Sequence, residues 1–500
     1  MSNAMNNNNA SAAGRPSVLR RMCAVRPVDM ARVAGKDRLR QVLGPWALTA
    51  IGLGATIGTG IFVLTGTVAA NNSGPAITLS LLVAAFGAGL AALCYSEFAA
   101  FLPVPGSAYS YTYATLGEAL AWFIGWNLLL EYGISASTVA VSWSAYVVNL
   151  LEEAHIHLPP LLVNAPLGLD AHEHVIRTGA IINVPAMLIV GAMTAVLYFG
   201  VRESAGANTF MVALKVAVIV IVVIAGLHYV DTSNWHPYVP PNTGTFGHFG
   251  WSGVMKGAAI MFFAYVGFDT ASTTALEARN PQRDLPIGII GTLVIATVLY
   301  VAMAAILTGM LPLAKLDAAA PVAVALDAHP QLSWLSWMVK IGVIAGMTSV
   351  ILTSLLGQPR ILLSMADDGL LPSYMSRCHP RYKTPHVSTV LTGVFAAIIA
   401  GIFPLDLLAD LISIGILLAF AVVCIGVLVL RHTRPNEHRP FRVPWAPFTC
   451  ILGALVCLGM TYFLSNATWG RLVVWTIIGM SIYAAYGFRN SRLRKNDSDA

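Results

Sequence analysis

The 500 residues carry 29 Lys and Arg against 23 Asp and Glu, a formal net charge of +6, yet only 10% of the chain is charged and 57% is hydrophobic. An average soluble domain is about one quarter charged, so a soluble enzyme or a nucleic-acid-binding domain of this size is excluded: its surface could not be clothed. Apolar runs long enough to cross a bilayer recur from end to end, which makes the chain one membrane domain with short tails.

In chain order, Met1–Ala4 (MSNA) ahead of a second Met5 reads as the remnant of an expression tag. Residues 5–35 are Asn-rich and basic, without the apolar core and cleavage site of a signal peptide, and are expected to be a disordered tail. The membrane domain is expected over 36–490, followed by a second tail at 491–500. Windows of ~20 apolar residues predict about twelve transmembrane helices. They lie near 44–67, 75–102, 118–150, 180–200, 208–230, 251–276, 286–310, 332–364, 386–404, 407–430, 447–465 and 470–488. The third and eighth are long enough to tilt or protrude. With the N-terminus inside, 23 of the 29 Lys and Arg fall in inner segments and three (Arg177, Lys315, Arg471) in outer loops. That asymmetry places both termini in the cytoplasm and accounts for the basic balance without nucleic acid.

The outer loop after the third span holds His155, His157, His172 and His174 among Glu152, Glu153, Asp170 and Glu173. A metal or pH-sensing cluster is one reading, but nothing fixes a ligand geometry, and a solvated loop is preferred. The six cysteines are scattered without metal-like spacing. No disulfide, metal or cofactor is expected.

Two spans are interrupted at corresponding places. The first reads GLGATIGTGI over Gly52–Ile61 and the sixth FFAYVGFDT over Phe262–Thr270. Glycine costs about 1 kcal/mol relative to alanine inside a helix, so these stretches should unwind. Unwound backbone is tolerated at membrane depth only where it lines a protein cavity. Paired breaks five spans apart are the mark of an inverted-repeat transporter with its site at the midplane. Free N–H groups at a half-helix end suit a carboxylate and free carbonyls suit an ammonium, so a zwitterionic amino acid matches both. The competing explanation is close helix packing of the GxxxG kind.

Lys215 lies mid-span, where a charge costs at least ~2.5–3.5 kcal/mol, and is a candidate for proton coupling; snorkelling to an interface is the alternative. Glu131 is the only acid well inside the third span. It is a candidate for substrate contact or proton handling, with a structural ion pair as its plainer role. Asp269, in the second break, is expected to cap the half-helix that follows.

These segments resemble the amino acid–polyamine–organocation superfamily, in particular its bacterial cationic-amino-acid-transporter branch. The resemblance is carried by GLGATIGTGIFVLTG (52–66), FLPVPGSAYSYTY (101–113), FFAYVGFDTASTTALEARNPQRDLPIGI (262–289) and GQPRILLSMADDGLLP (357–372). It implies an all-α, LeuT-like fold: inverted repeats over 44–230 and 251–430, and two further helices over 447–488. It also implies a substrate site on the broken segment Thr56, Ile57, Gly58, Thr59 and Gly60, with Thr59 and Gly60 on the carboxylate. The carbonyls of Thr56, Phe263, Ala264 and Val266 would take the ammonium. Glu131 would face the cavity, and Lys215 would stand where sodium sits in sodium-coupled relatives, its ammonium aimed at the first break and at Met347–Ser349. The branch often has two adjacent acids after the second break, where this chain has Leu276-Glu277, so small neutral amino acids are favoured over cationic ones. The expectation is a proton-coupled amino acid symporter of the bacterial inner membrane, with protons and membrane lipids as its other partners. An exchanger without net proton flux and a transporter-like sensor are the alternatives; neither tail is large enough for a signalling domain. No nucleophile–base set, zinc motif or phosphate loop suggests an enzyme.

Overall fold

A computed structural model describes residues 24–26, 43–104, 106–169, 175–200, 205–382 and 384–493. The tag remnant, most of the basic tail, residues 494–500 and the outer-loop His172 and His174 lie outside the described residues.

Each of the twelve apolar windows falls on helix. The helices used below are α1 (Pro45–Thr56), α2 (Ile77–Phe101), α3 (Ser107–Tyr113), α4 (Glu118–Glu153), α5 (Val184–Phe199), α6 (Ala205–Gly226), α7 (Gly250–Met261), α8 (Pro281–Met310), α9 (Pro321–Asp327), α10 (Ser333–Asp367), α11 (His386–Ile402), α12 (Leu405–Thr433), α13 (Ala446–Thr461) and α14 (Asn466–Ile482). Among the described residues, eight helical stretches are long and apolar enough to cross a bilayer, and α5, α11 and α13 are shorter apolar helices. Their ends follow local chemistry. Pro281 and Pro321 open α8 and α9 at the first helical position, where a missing N–H costs nothing. Asn183 caps α5 by accepting from the Ala186 N–H, and Ser465 caps α14 by accepting from Thr468.

At 36 residues, α4 is about 54 Å long, well beyond the ~30 Å hydrocarbon core. Its window anticipated a helix longer than that core. The structure also departs from the sequence reading. The outer loop contains a short antiparallel pair, β1 (Leu167–Leu169) with β2 (Val175–Arg177), where only loop was expected; three-residue strands are too short to show alternation. The seven-residue helices α3 and α9 escaped the apolar windows for the same reason of length. Ala24–Arg26, inside the tail expected to be disordered, packs on the body: Arg26 donates its N–H to the Tyr113 carbonyl and Glu118 donates to the Ala24 carbonyl, both at 3.0 Å.

The helices sort into two packed groups. The pieces of the first and sixth spans, α1 and α7, pack with α2 and α8, while α4, α5, α10 and α11 pack mutually. Large apolar side chains such as Phe86, Leu188, Phe210, Val298 and Ile477 remain exposed on the outside, the surface that a bilayer solvates.

Candidate substrate site

The first span stops being α-helical at Thr56. Ile57 is extended, and helix resumes at Gly60 as a wide π turn. The sixth passes from α7 through a tight 3-10 turn over Phe262–Tyr265, becomes extended at Val266, and restarts as a helical turn at Thr270–Thr273. Gly267 has φ +115°, a left-handed conformation that side chains rarely adopt. The two breaks face each other. A methyl group on Gly60 would lie 2.5 Å from the Ala264 Cβ, and one on Gly267 would lie 2.8 Å from the backbone of Ala55 and Thr56.

Tyr300 of α8 bridges them. Its hydroxyl lies 2.8 Å from the Thr56 carbonyl and 2.9 Å from the Ala264 carbonyl. One hydroxyl proton serves two acceptors. The Phe263 carbonyl accepts from the Val266 N–H at 3.1 Å. Of the four carbonyls expected at an ammonium, Thr56, Phe263 and Ala264 thus already have a donor nearby, and each keeps a second lone pair. Thr59 is 1% exposed and its hydroxyl has no hydrogen-bond partner among the described residues. Ser349 and Gln358 on α10 likewise present buried oxygens without a partner among those residues.

Lys215 is fully buried. Its ammonium donates to the Gly54 carbonyl at 2.6 Å, a short charge-assisted bond. Its stem lies against α10, where a methyl on Gly346 would sit 3.0 Å from the Lys215 Cγ. The structure therefore places it between the last turn of α1 and the eighth span, not at an interface as snorkelling would.

Glu131 is 2% exposed and points into the protein. Its Oε1 has no hydrogen-bond partner among the described residues. Asp269 corrects the sequence reading: its side chain makes no cap bond to the following turn. Its Oδ2 instead accepts from the Tyr132 hydroxyl at 3.0 Å and the Ser107 hydroxyl at 3.2 Å, joining the second break to α4 and α3.

Below the breaks the protein is sealed by a layer of polar side chains. Tyr109 donates to Asp368 at 2.8 Å, and Arg26 pairs with the same carboxylate at 3.3 Å. Burial pushes the Asp368 carboxyl above the usual range, while Arg26 and Tyr109 pull it back. Glu118 accepts from Tyr113 at 3.0 Å, from Tyr483 at 2.8 Å and from Ser491. At the other end a cavity of about 970 Å³ is lined by Val63, Thr67, Ser142, Asn183, Asp317 and Asp406 and reaches within a turn of Gly60. Lys340, which sequence placed inside a span, pairs at this end with Asp327 at 2.9 Å and with Glu153. It ties α10 to α9 and α4.

Residues 43–483 match the family model described as amino acid permease. The chain belongs to this family. Over 471 residues it is 42% identical to the methylthioribose transporter of Bacillus subtilis, covering 94% of this chain and 98% of that one. It is also 42% identical to the branched-chain amino acid permease BcaP of the same organism, over 93% of this chain and 97% of that one. The vacuolar cationic amino acid transporter 2 of Arabidopsis thaliana is 40% identical over 78% of this chain and 60% of its own length. The protein is thus a multi-pass membrane transporter of the amino acid–polyamine–organocation superfamily and not an enzyme. Within this amino acid permease, sequence reasoning had named the two breaks, Glu131 and Lys215. It had missed Tyr300, Tyr132 and Ser107. Tyr300 left one signal, the single aromatic residue in the run TLVIATVLYVAMAA; the other two sat unremarked in quoted motifs or beside Glu131.

Proposed function

We propose that the chain is a proton-coupled symporter of small neutral amino acids in the bacterial inner membrane, working by alternating access about the two breaks. The observation that carries the reading is the meeting of freed backbone at Thr56–Gly60 with freed backbone at Phe263–Val266. Carbonyls and N–H groups gathered at one depth suit the two charged ends of an α-amino acid. The substrate would lie on Thr56, Ile57, Gly58, Thr59 and Gly60 on one side and Phe263, Ala264 and Val266 on the other, with Glu131 beside it. Lys215 would act as a fixed cation on the Gly54 carbonyl in place of a sodium ion. Loss of its proton would release α1 from the eighth span, so one proton could bias the cycle if the two conformations hold it unequally.

Twelve crossings with both termini inside would gather 23 of the 29 Lys and Arg on one side, which supports that orientation. The two packed groups support inverted repeats over 44–230 and 251–430, because exchanging the first five spans with the second five leaves each group unchanged. The names of the relatives span branched-chain amino acids, cationic amino acids and methylthioribose. Neutral substrates are favoured here because Leu276-Glu277 stands where two acids would.

The test is uptake into proteoliposomes of labelled leucine, alanine, lysine and methylthioribose, with and without an imposed pH gradient. Gradient-driven accumulation of the neutral amino acids is expected, and Glu131→Gln should impair it without loss of folded protein. Counterflow alone, indifferent to the gradient, would make the protein an exchanger. Uptake of methylthioribose but of no amino acid would overturn the substrate class.

A further inference from the structure

A groove of about 650 Å³ runs along the outer surface of α8, away from the breaks. Gln282, Arg283, Ile287 and Ile290 of α8 form one side, and Pro440 and Phe441 of the loop after α12 form the other. The loop wall is fixed firmly. Glu97 of α2, fully buried, accepts from Arg431 at 2.9 Å and from the Val443 N–H at 2.7 Å, and Arg439 lies 3.5 Å away. From Gln282 to Gly291 the groove follows α8 for about 13 Å, close to the ~15 Å of hydrocarbon in one leaflet. Beyond it the same face of α8 continues from Ile287 as an exposed apolar stripe, Val294 and Val298. Lipid tails cover such a stripe.

The mouth of the groove differs from its floor. Arg283 stands there, and Arg442 follows Phe441 on the opposite wall; both are exposed. Neither guanidinium has an ion-pair partner among the described residues. Trp46 and Trp445, 78% and 84% exposed, belong to the same end of the bundle, where Leu43 pairs with Ala278 just ahead of α8. Exposed tryptophans mark the headgroup level, so the arginines stand at phosphate height and the groove lies below it. Positive side chains donate charge-assisted hydrogen bonds to phosphate oxygens, and basic pockets between helices on the cytoplasmic side take anionic headgroups.

We propose that this groove is a specific site for one anionic glycerophospholipid of the cytoplasmic leaflet, its phosphate between Arg283 and Arg442 and one acyl chain along Ile287 and Ile290. The leaflet rests on the orientation proposed above; headgroup recognition does not. The site has a consequence for transport. Gly288 and Gly291 of α8 pack on Leu48 and Thr49 of α1, so the lipid lies directly behind the contact between α8 and the inner half of the broken first span.

The experiment is native mass spectrometry of the purified full-length protein, given equal amounts of dioleoyl-phosphatidylglycerol and dioleoyl-phosphatidylcholine in detergent. The wild type is expected to retain phosphatidylglycerol preferentially. The pair Arg283→Ala with Arg442→Ala should cut that preference about thirtyfold, about fivefold for each arginine alone. The corresponding lysine pair should keep most of it, which separates charge from misfolding. Ile287→Trp, which fills the groove, should reduce retention of both lipids. An unchanged preference in the alanine pair, an equal loss in the lysine pair, or full retention in Ile287→Trp would each overturn the site. None of these readouts depends on transport, so failure of the proposed substrate leaves this test intact.

Discussion

Gly60→Ala tests the facing breaks most directly. The added methyl would sit 2.5 Å from the Ala264 Cβ and 2.6 Å from its Cα, whereas carbon atoms prefer about 3.5–4.0 Å. The half-helices would have to part by roughly 1 Å, because the Ala264 Cα is backbone and cannot rotate away. Overpacking of that kind costs about 1–3 kcal/mol. If the whole penalty falls on the conformation that brings the breaks together, uptake drops about 5- to 150-fold. Gly89→Ala in α2 is the internal control, because it lies outside the proposed substrate site and its methyl would meet only the Leu293 Cδ2 at 3.5 Å; uptake should stay within a few-fold. Adding Ala264→Gly to Gly60→Ala removes the 2.5 Å clash but not the 2.6 Å one, so rescue should be partial. The assay is initial uptake in proteoliposomes, normalised to protein that elutes as a single species. Gly60→Ala uptake as high as that of Gly89→Ala would show that the breaks do not need to touch.

Three further outcomes follow from the same geometry. Lys215→Ala removes a charged donor from the Gly54 carbonyl and should reduce gradient-driven accumulation about 10- to 150-fold; Lys215→Arg, which keeps its proton, should not restore it. Full proton-driven uptake by the alanine variant would move the coupling role to Glu131. Tyr300→Phe leaves the Thr56 and Ala264 carbonyls without their shared donor and should destabilise the protein by about 1–3 kcal/mol, with a larger stabilisation by substrate than in the wild type; an unaltered melting curve would refute the bridge. Arg26→Ala weakens a half-buried pair worth about 0.2–1 kcal/mol and should speed thiol labelling of a Thr274→Cys reporter by no more than about fivefold, while labelling at the wild-type rate would show that Arg26 does not hold the seal.

What could be read ahead of the structure was whatever departs from helix or lipid chemistry within a few residues. Four glycines in the nine positions 52–60 announce a broken helix, because their cost is local. Lys215 and Glu131 stood out because a charge in an apolar run demands a partner. That demand does not say where the partner is. Lys340 and Lys215 both fall inside apolar windows, yet one reaches the carboxylates of Asp327 and Glu153 and the other a backbone carbonyl beside the first break. Asp269 was misjudged because the capping rule is local, while its actual donors, Tyr132 and Ser107, come from 137 and 162 residues away. The role of Tyr300 was illegible for the same reason: its acceptors became available only once two distant spans had unwound side by side.

The seal around Asp368 and Glu118 also bears on how the chain is made. Arg26 and Asp368 are 342 residues apart, and Ser491 and Glu118 are separated by 373. The main chain of Arg492 donates to the Asp368 carbonyl as well. Closing loops of that length carries a penalty that must be met before the contact gives anything back. This layer therefore completes only after the last helix has been synthesised and inserted. A chain truncated ahead of Ser491 would still hold every membrane helix, but Glu118 would lack one of its three hydroxyl donors. The defect of such a truncated chain would lie in this layer and not at the two breaks.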